Sequence, residues 1–442
     1  MKKPNFIPPA QILRRLRQQP AVDFFTYGLE RNDGCVFRFE IPLPAGAAED
    51  PLVVTLCERA VKFGLWSAGG WRLYLAGPAH ICDFVEKTYA PGGKHQFDRD
   101  MMRIDFDNEL EFVRCKREEV PAFRDAQNRT RISFEGCRIG FDLGASDYKI
   151  AAVKDGEVLF NDEFPWDPVP QTDPNYHFNH LNDGLKKAAA TLPRVDAIGG
   201  SSAGSVIDNR LRIASLTRSV AGAENIKVAQ DIFQRVEREW KVPVEVVNDG
   251  DATALAAHIT NDYVAVLGIA MGSSQASGYL DRSASLTGRL TELAFCPVDL
   301  SPDALADEWS GDKGVGALYF SQQAVNRLAN FYDLGLDQSV GLPARLVEVQ
   351  ERMKAGDKSV EIIYELIGEY LGHSAVWYRE FYDFDNMLIL GRVTTGRGGD
   401  IILEKARATL AEYYPDTAIQ IVMPDEKAKR LGQSVAAAAI SR

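Results

Sequence analysis

The chain has 442 residues, 45% hydrophobic and 25% charged, the balance of an ordinary globular protein with room for two or three domains. Sixty-two acidic against 50 basic residues leave a net charge of -12, which argues against a broad nucleic-acid-binding surface, though a small basic module stays compatible with it. Six scattered cysteines (Cys35, Cys57, Cys82, Cys115, Cys137 and Cys296) form no CxxC pair and read as reduced thiols of a cytoplasmic protein, not as a disulfide frame or a zinc site.

Met1–Pro9 lacks the apolar core of a signal peptide, and no stretch reaches the roughly 20 apolar residues of a membrane span. Residues 1–130 read as a small α+β module. Gln11–Gln18 is a short basic amphipathic helix, and Cys35–Ile41 and Trp71–Leu75 alternate as strands do. Pro51–Leu65 fits a helix ending near Gly64, and His80–Thr88 fits another. Met102–Phe106 and Leu110–Arg114 are expected to be paired strands across Asp107-Asn108. Covering an active site and forming a subunit interface are both compatible with this module, and its residues assign it neither. Arg124–Thr130 is polar enough to be a linker.

The next segment, Arg138–Val153, places two β-rich runs around Asp142-Leu143-Gly144-Ala145-Ser146, a tight hairpin, with Val158–Phe160 as a third strand. Gly144 allows backbone to approach a phosphate, and Ser146 and the loop amides can donate to its oxygens. Asp142 suits a magnesium ion held through water. A plain glycine-containing turn explains the same residues. His177 and His180 have helical spacing without a third ligand and read as a solvated helix start.

Val244–Val247 reads as a buried strand that stops at Asn248-Asp249-Gly250-Asp251, where an Ala-rich helix begins. A carboxylate there either touches a ligand above the sheet or merely caps the helix. His258 and His373 sit alone on helical patterns and read as structural. Gly311–Gly316 completes neither a P-loop nor a dinucleotide fingerprint. Ala324–Phe331, Leu342–Met353 and Val360–Phe381 are amphipathic helices, the last ending in the aromatic cluster Trp377, Tyr378, Phe381 and Tyr382.

Taken in order, these segments resemble the ROK sugar kinases and repressors of the actin/Hsp70/hexokinase (ASKHA) superfamily. Asp142–Ser146 is similar to the first phosphate loop, and Ala197–Asp208 to the strand and turn near the sugar. Val247–Ala252 resembles the Asn-Asp segment, Met271–Leu280 the second phosphate loop and Gly288–Asp299 the segment whose Glu binds sugar hydroxyls. Met387–Val393 is similar to the strand and turn under the adenosine, and Leu431–Ala438 to the closing helix.

The resemblance implies an α/β, two-lobed, duplicated ribonuclease H-like (actin/hexokinase) fold with the N-terminal α+β module appended. Lobe I would span 137–255 and lobe II 256–442, with the C-terminal helix returning to lobe I and ATP and sugar in the cleft. Asp249 would be the catalytic base, and Asn248, Glu292 and Gly204 would bind the sugar. Asp142, Gly144, Ser146, Lys149, Gly272, Ser273 and Gly391 would hold ATP, with Asp142 on magnesium through water.

The chain departs from the family in several places. Asp307–Tyr319 has no cysteine where many members carry a zinc motif, so no zinc site is expected. Phe295 stands where a His usually follows the sugar Glu, and Ala317 where another sugar-binding Glu is usual. Ser273-Ser274-Gln275 alters the second phosphate loop, and Arg392 replaces a glycine by the adenosine.

The implied function is ATP-dependent phosphorylation of a sugar hydroxyl, in a cytoplasmic enzyme without membrane or nucleic-acid partners. A homodimer is compatible with the sequence. The alternative is a ROK-like sugar-sensing or nucleotide-binding regulatory protein without kinase activity. Ile12–Gln18 is similar to the first helix of the repressors' winged helix, but strand-rich sequence follows it rather than a helix-turn-helix.

Overall fold

Seven consecutive buried residues, Cys137–Leu143, form the central strand of the sheet that carries the candidate site. A strand covered on both faces must be apolar throughout, so the one carboxylate in it, Asp142, stands out. The computed structural model describes residues 3–125, 130–424 and 432–441. Residues 126–129 of the expected linker, and Met1, Lys2 and Leu431 of other expected segments, lie outside them.

The chain forms two compact units. The first comprises Met1–Asp125, Ile269–Ser277 and Arg289–Met423, and the second comprises Ala126–Gly268, Gly278–Gly288 and Pro424–Arg442.

The sheet of the second unit has five strands. Its spatial order is Val244–Asn248, Ala197–Ser202, Cys137–Leu143, Asp147–Lys154 and Glu157–Pro165. The last three form an antiparallel meander, and the first two run parallel to Cys137–Leu143. Parallel neighbours need crossover connections, and helices Tyr176–Ala189 and Ile232–Trp240 supply them. Their apolar faces pack on Phe141, Ile150 and Ile198.

The short helix Gln433–Ala438 lies against the sheet where two glycines leave room. A Cβ on Gly140 would sit 1.9 Å from the Ser434 carbonyl oxygen, and one on Gly199 would sit 1.9 Å from that of Ala437. Arg138 fastens the end of this helix by donating to the Ala438 and Ile440 carbonyls. A second sheet has four strands in the order Gln275–Leu280, Val266–Met271, Asn386–Leu390 and Gln420–Val422. That order repeats the first sheet's without a counterpart of its outermost meander strand among the described residues, as a duplicated α/β fold requires.

The N-terminal residues of the first unit build a four-stranded sheet in the order Val36–Pro44, Ala21–Glu30, Arg72–Ala76 and Glu111–Arg114. Helix Pro9–Arg17 is followed directly by strands, not by a second helix. Helix Pro51–Ser67 starts with proline and is capped by Asp50, whose Oδ1 accepts from the Leu52 N–H at 2.9 Å. It runs past Gly64, the expected stop. Gly64 instead makes room for Tyr27, whose hydroxyl would lie 2.4 Å from a Cβ there.

The expected strand Met102–Phe106 is the end of helix Gln96–Phe106. Within this end Met102, Asp105 and Phe106 are buried, a helical spacing that a short alternating pattern can imitate. The aromatic cluster is core: Phe381 stacks on Phe63 and Phe39, with centroids 3.9 and 4.7 Å apart. No helix among the described residues is long and apolar enough to cross a membrane.

Candidate functional site

In the second unit, chemistry gathers at the carboxyl ends of the parallel strands, where open α/β sheets present their ligand sites. Asp142 lies opposite Ser201, and Ser201 opposite Val247, so two ladder steps of about 4.8 Å separate Asp142 from the strand that ends in Asn248, just before Asp249. The Ser201 hydroxyl donates to Asp142 Oδ1 at 2.7 Å. Burial still pushes the Asp142 carboxyl above its ordinary value, against the opposing pull of Ser201 and Lys149.

Helix Asp249–Asn261 starts at once after the strand. Capping falls to Asn248, whose Oδ1 accepts from the Gly250 N–H at 2.7 Å, while its Nδ2 donates to the Gly204 carbonyl at 2.9 Å. Gly204 adopts a φ of +103°, and a Cβ there would lie 2.3 Å from the Ile213 carbonyl oxygen. The Gly204 carbonyl thus orients Asn248. Asp249 is the first helical residue, and its carboxyl is raised to about 7 by burial first and by the Asp142 charge second. Asp251 is raised to about 7 as well, by burial and by Asp249, although it accepts from the Tyr279 N–H at 3.1 Å.

The hairpin Leu143–Asp147 is closed by the Gly144 N–H donating to the Asp147 carbonyl at 3.0 Å. Trp166 Nε1 pins it by donating to the Gly144 carbonyl at 2.8 Å. Ala145 and Ser146 are exposed at its tip. Lys149, opposite Asp142 in the ladder, pairs with Asp147 at 3.1 Å, and the Ser146 hydroxyl donates to the same carboxylate at 2.9 Å. These bonds outweigh burial and hold Asp147 below its ordinary value. Burial pulls Lys149 down, but its carboxylate neighbours carry it above its ordinary value. The arrangement offers a hydroxyl, an ammonium and an exposed turn to an anion. It also sets a carboxylate beneath them.

Asp142 offers hard oxygen, and the cost of its burial would be relieved by a cation. Both features fit magnesium held by one carboxylate with water and phosphate completing its shell. Among the described residues no group of three or more His, Cys, Asp or Glu side chains is arranged to hold a metal.

The first unit holds the other expected residues. Gly272 and Ser273 form the turn before Gln275–Leu280, closed by the Gly272 N–H on the Ser274 carbonyl at 2.9 Å, and Ser273 is exposed. The Gly272 carbonyl accepts from the Gln322 N–H at 2.9 Å, which ties the turn to the start of helix Gln322–Phe331. Gly391 has a φ of +103°, and a Cβ there would lie 2.6 Å from the Met271 carbonyl oxygen, so only glycine fits. Glu292 is partly buried and donates its N–H to the Trp66 carbonyl at 2.9 Å. Phe295 packs on Trp66 and Phe97, with centroids 4.3 and 5.4 Å away, and Ala317 is buried.

His177 is not solvated. It is buried, with Nε2 at 2.8 Å from the Leu216 carbonyl oxygen. His258 and His373 hold a backbone carbonyl and the Tyr414 hydroxyl, both at 2.9 Å. Sequence reasoning missed Ser201, Asp147 and Trp166. Each acts through a cross-strand or turn contact that only the ladder register reveals.

A model of the ROK family matches residues 138–437. Among solved structures, the ROK hexokinase of Thermus thermophilus is 20% identical with a TM-score of 0.53, covering 68% of this chain and 97% of its own. The ROK family glucokinase of Streptomyces griseus, solved with glucose and AMPPNP, is 17% identical with a TM-score of 0.50, covering 69% and 98%. A ROK family transcriptional regulator, described as a homolog of the E. coli MLC protein, is 19% identical with a TM-score of 0.53, covering 69% and 76%. No curated protein matches the sequence.

Proposed function

The chain belongs to the ROK family, and from that premise we propose that it is a cytoplasmic, ATP-dependent sugar kinase with Asp249 as general base. The observation that carries this reading is the carboxyl of Asp249, raised to about 7 beside the buried Asp142 at the strand ends. A base serves best when its pKa lies near the working pH, because it is then both ionised and basic enough to take a proton. Asp249 accepts the proton of the attacking hydroxyl at its carboxylate. Asn248, held by Gly204, fixes the backbone from which Asp249 projects and orients the sugar.

Ser146, Lys149 and the Gly144 turn bind and orient the phosphates, and Gly272 and Ser273 do the same from their own turn. Gly391 leaves backbone open beside the adenine. Glu292 accepts from sugar hydroxyls, a contact whose loss is costly once water is excluded. Asp142 would hold magnesium, and the ion when bound would neutralise charge on the transferring phosphoryl group. Support for a sugar acceptor comes from the hexokinase and the glucose-bound glucokinase that share the fold. The kinase lobes of this reading are 137–255 and 256–442.

A panel of hexoses and N-acetylhexosamines with ATP and magnesium tests the proposal, which predicts release of ADP with at least one of them. The second reading is a sugar-sensing or nucleotide-binding regulator, favoured by apolar Phe295 and Ala317 at positions expected to be polar. Nucleotide or sugar binding with no transfer to any acceptor would select it.

A further inference from the structure

Helix Pro51–Ser67 buries Glu58, Arg59 and Lys62 in its middle and Trp66 at its end. Their partners are His95 and Asp98, around the start of helix Gln96–Phe106, and Asp312 from a distant loop of the same unit. Arg59 pairs with Glu58 at 2.7 Å and with Asp312 at 2.5 Å. Lys62 pairs with Asp98 at 2.8 Å and with Asp312 at 3.0 Å, and His95 contacts Glu58 at 2.6 Å. Desolvating each such ion costs several kcal/mol, and removing one partner strands another. A network of this kind adds little net stability, but it tolerates only one arrangement of its three segments.

The end of the helix carries that arrangement to the candidate sugar segment. Asp98 Oδ1 accepts from Trp66 Nε1 at 2.9 Å, and the indole packs against Phe295. The Trp66 carbonyl accepts from the Glu292 N–H at 2.9 Å, and the Ser67 carbonyl accepts from the Thr291 N–H at 3.0 Å. Thr291 is held at a φ of +52°, a left-handed conformation that a β-branched residue adopts only when its surroundings impose it. Glu292 leaves that strained residue in a direction set by two carbonyls at the end of the helix.

We propose that Asp98, acting through the Trp66 indole, is a positioning residue for Glu292 and thereby sets the affinity for the sugar. This gives the N-terminal module a task, and it rests on the kinase reading above. Trp66→Phe keeps an aromatic ring, smaller than the indole, and removes the N–H. Asp98 is then still held by Lys62, at 2.8 Å from both carboxylate oxygens, so no buried charge is stranded.

The test uses the full chain with ATP, magnesium and the accepted sugar. Trp66→Phe should raise the sugar KM about tenfold, with kcat and the KM for ATP within about threefold. Asp98→Asn, whose Oδ1 can still accept from the Trp66 indole, should raise the sugar KM less than Trp66→Phe does. Tyr74→Phe, which breaks the unrelated bond to Glu30 at 2.8 Å, should leave the sugar KM unchanged. A folded Trp66→Phe with a wild-type sugar KM overturns the proposal.

Hydrogen exchange of the Thr291 and Glu292 amides separates this inference from the kinase reading. Faster exchange there in Trp66→Phe supports the positioning link even if no sugar is phosphorylated, in which case only the kinase reading fails. Unchanged exchange overturns the link whatever the activity.

Discussion

Asp249→Asn is the substitution that the proposed mechanism can least tolerate. The amide matches the carboxylate in shape and can stay at the first helical position, but it cannot accept the acceptor hydroxyl's proton. General base catalysis contributes about 10²–10⁴ to a rate, so kcat with saturating ATP and sugar should fall by that factor, or about 3–5 kcal/mol of barrier. The nucleotide should bind as well as before or better, because a negative charge near its phosphates is gone. In the wild type, kcat/KM should rise with pH through about 7, as Asp249 ionises, and flatten above it.

Stability should move the other way. The folded carboxyl holds its proton more tightly than the unfolded one, so wild-type stability falls as pH rises from about 4 to about 7 and the variant is spared that loss. The rise from the ordinary value of 3.8 to about 7 bounds the difference at about 4 kcal/mol above pH 7. ADP release coupled to a continuous assay, with chemical unfolding at pH 5 and pH 8, measures both. A variant within about threefold of wild-type kcat, or a wild-type profile that is flat from pH 5.5 to 8.5, would refute the assignment.

Three further outcomes follow from the same geometry. Asp142→Asn should raise the magnesium concentration needed for half-maximal activity by about tenfold while the folded yield holds, since Ser201 can still bond an amide; magnesium titration at fixed ATP reads this. Gly391→Ala should weaken nucleotide binding and lower stability by about 1–3 kcal/mol, because its φ of +103° and the Met271 carbonyl both reject a Cβ; calorimetric titration with a non-hydrolysable ATP analogue and urea unfolding check it. Asp312→Ala should destabilise the first unit by about 3 kcal/mol, because Arg59 and Lys62 each lose one of their two carboxylates in a buried network. The cationic neighbours hold the Asp312 and Glu58 carboxyls below their ordinary values, Glu58 at about 2, so their contribution is present above pH 4.5 and lost as pH falls toward 2; acid unfolding of wild type and variant should converge there.

The parts of the molecule written in short-range pattern were legible before the structure. Val244–Asn248 and helix Asp249–Asn261 were both readable, because a buried strand ending in Asn-Asp-Gly-Asp carries its own stop and cap. The choice between capping and chemistry for Asp249 was not, since Asn and Asp cap equally well; only the hydrogen bond of Asn248 to Gly250 assigns the cap. Helix Glu361–Arg379 was visible in its apolar period, whereas Met102–Phe106 was too short to tell a strand from a helix end.

Long-range features left no local trace. Glu58, Arg59 and Lys62 look like a solvated helical face until Asp98 and Asp312, 36 and 253 residues away, are seen to bury them. Gly64 looks like a helix stop until Tyr27 is seen to occupy the space that it leaves. Phe295 and Ala317, two of the expected departures from the family, were read from resemblance alone. The structure adds that Phe295 has been absorbed into an aromatic contact with Trp66 and Phe97.

The central claim is transfer of a phosphoryl group from ATP to a sugar hydroxyl. Incubating the full chain with γ-labelled ATP, magnesium and each sugar of the panel, then separating the products, tests it most directly. Label should appear on at least one sugar phosphate and be lost in Asp249→Asn. Binding of ATP with no labelled sugar from any member of the panel, in wild type and variant alike, would contradict it.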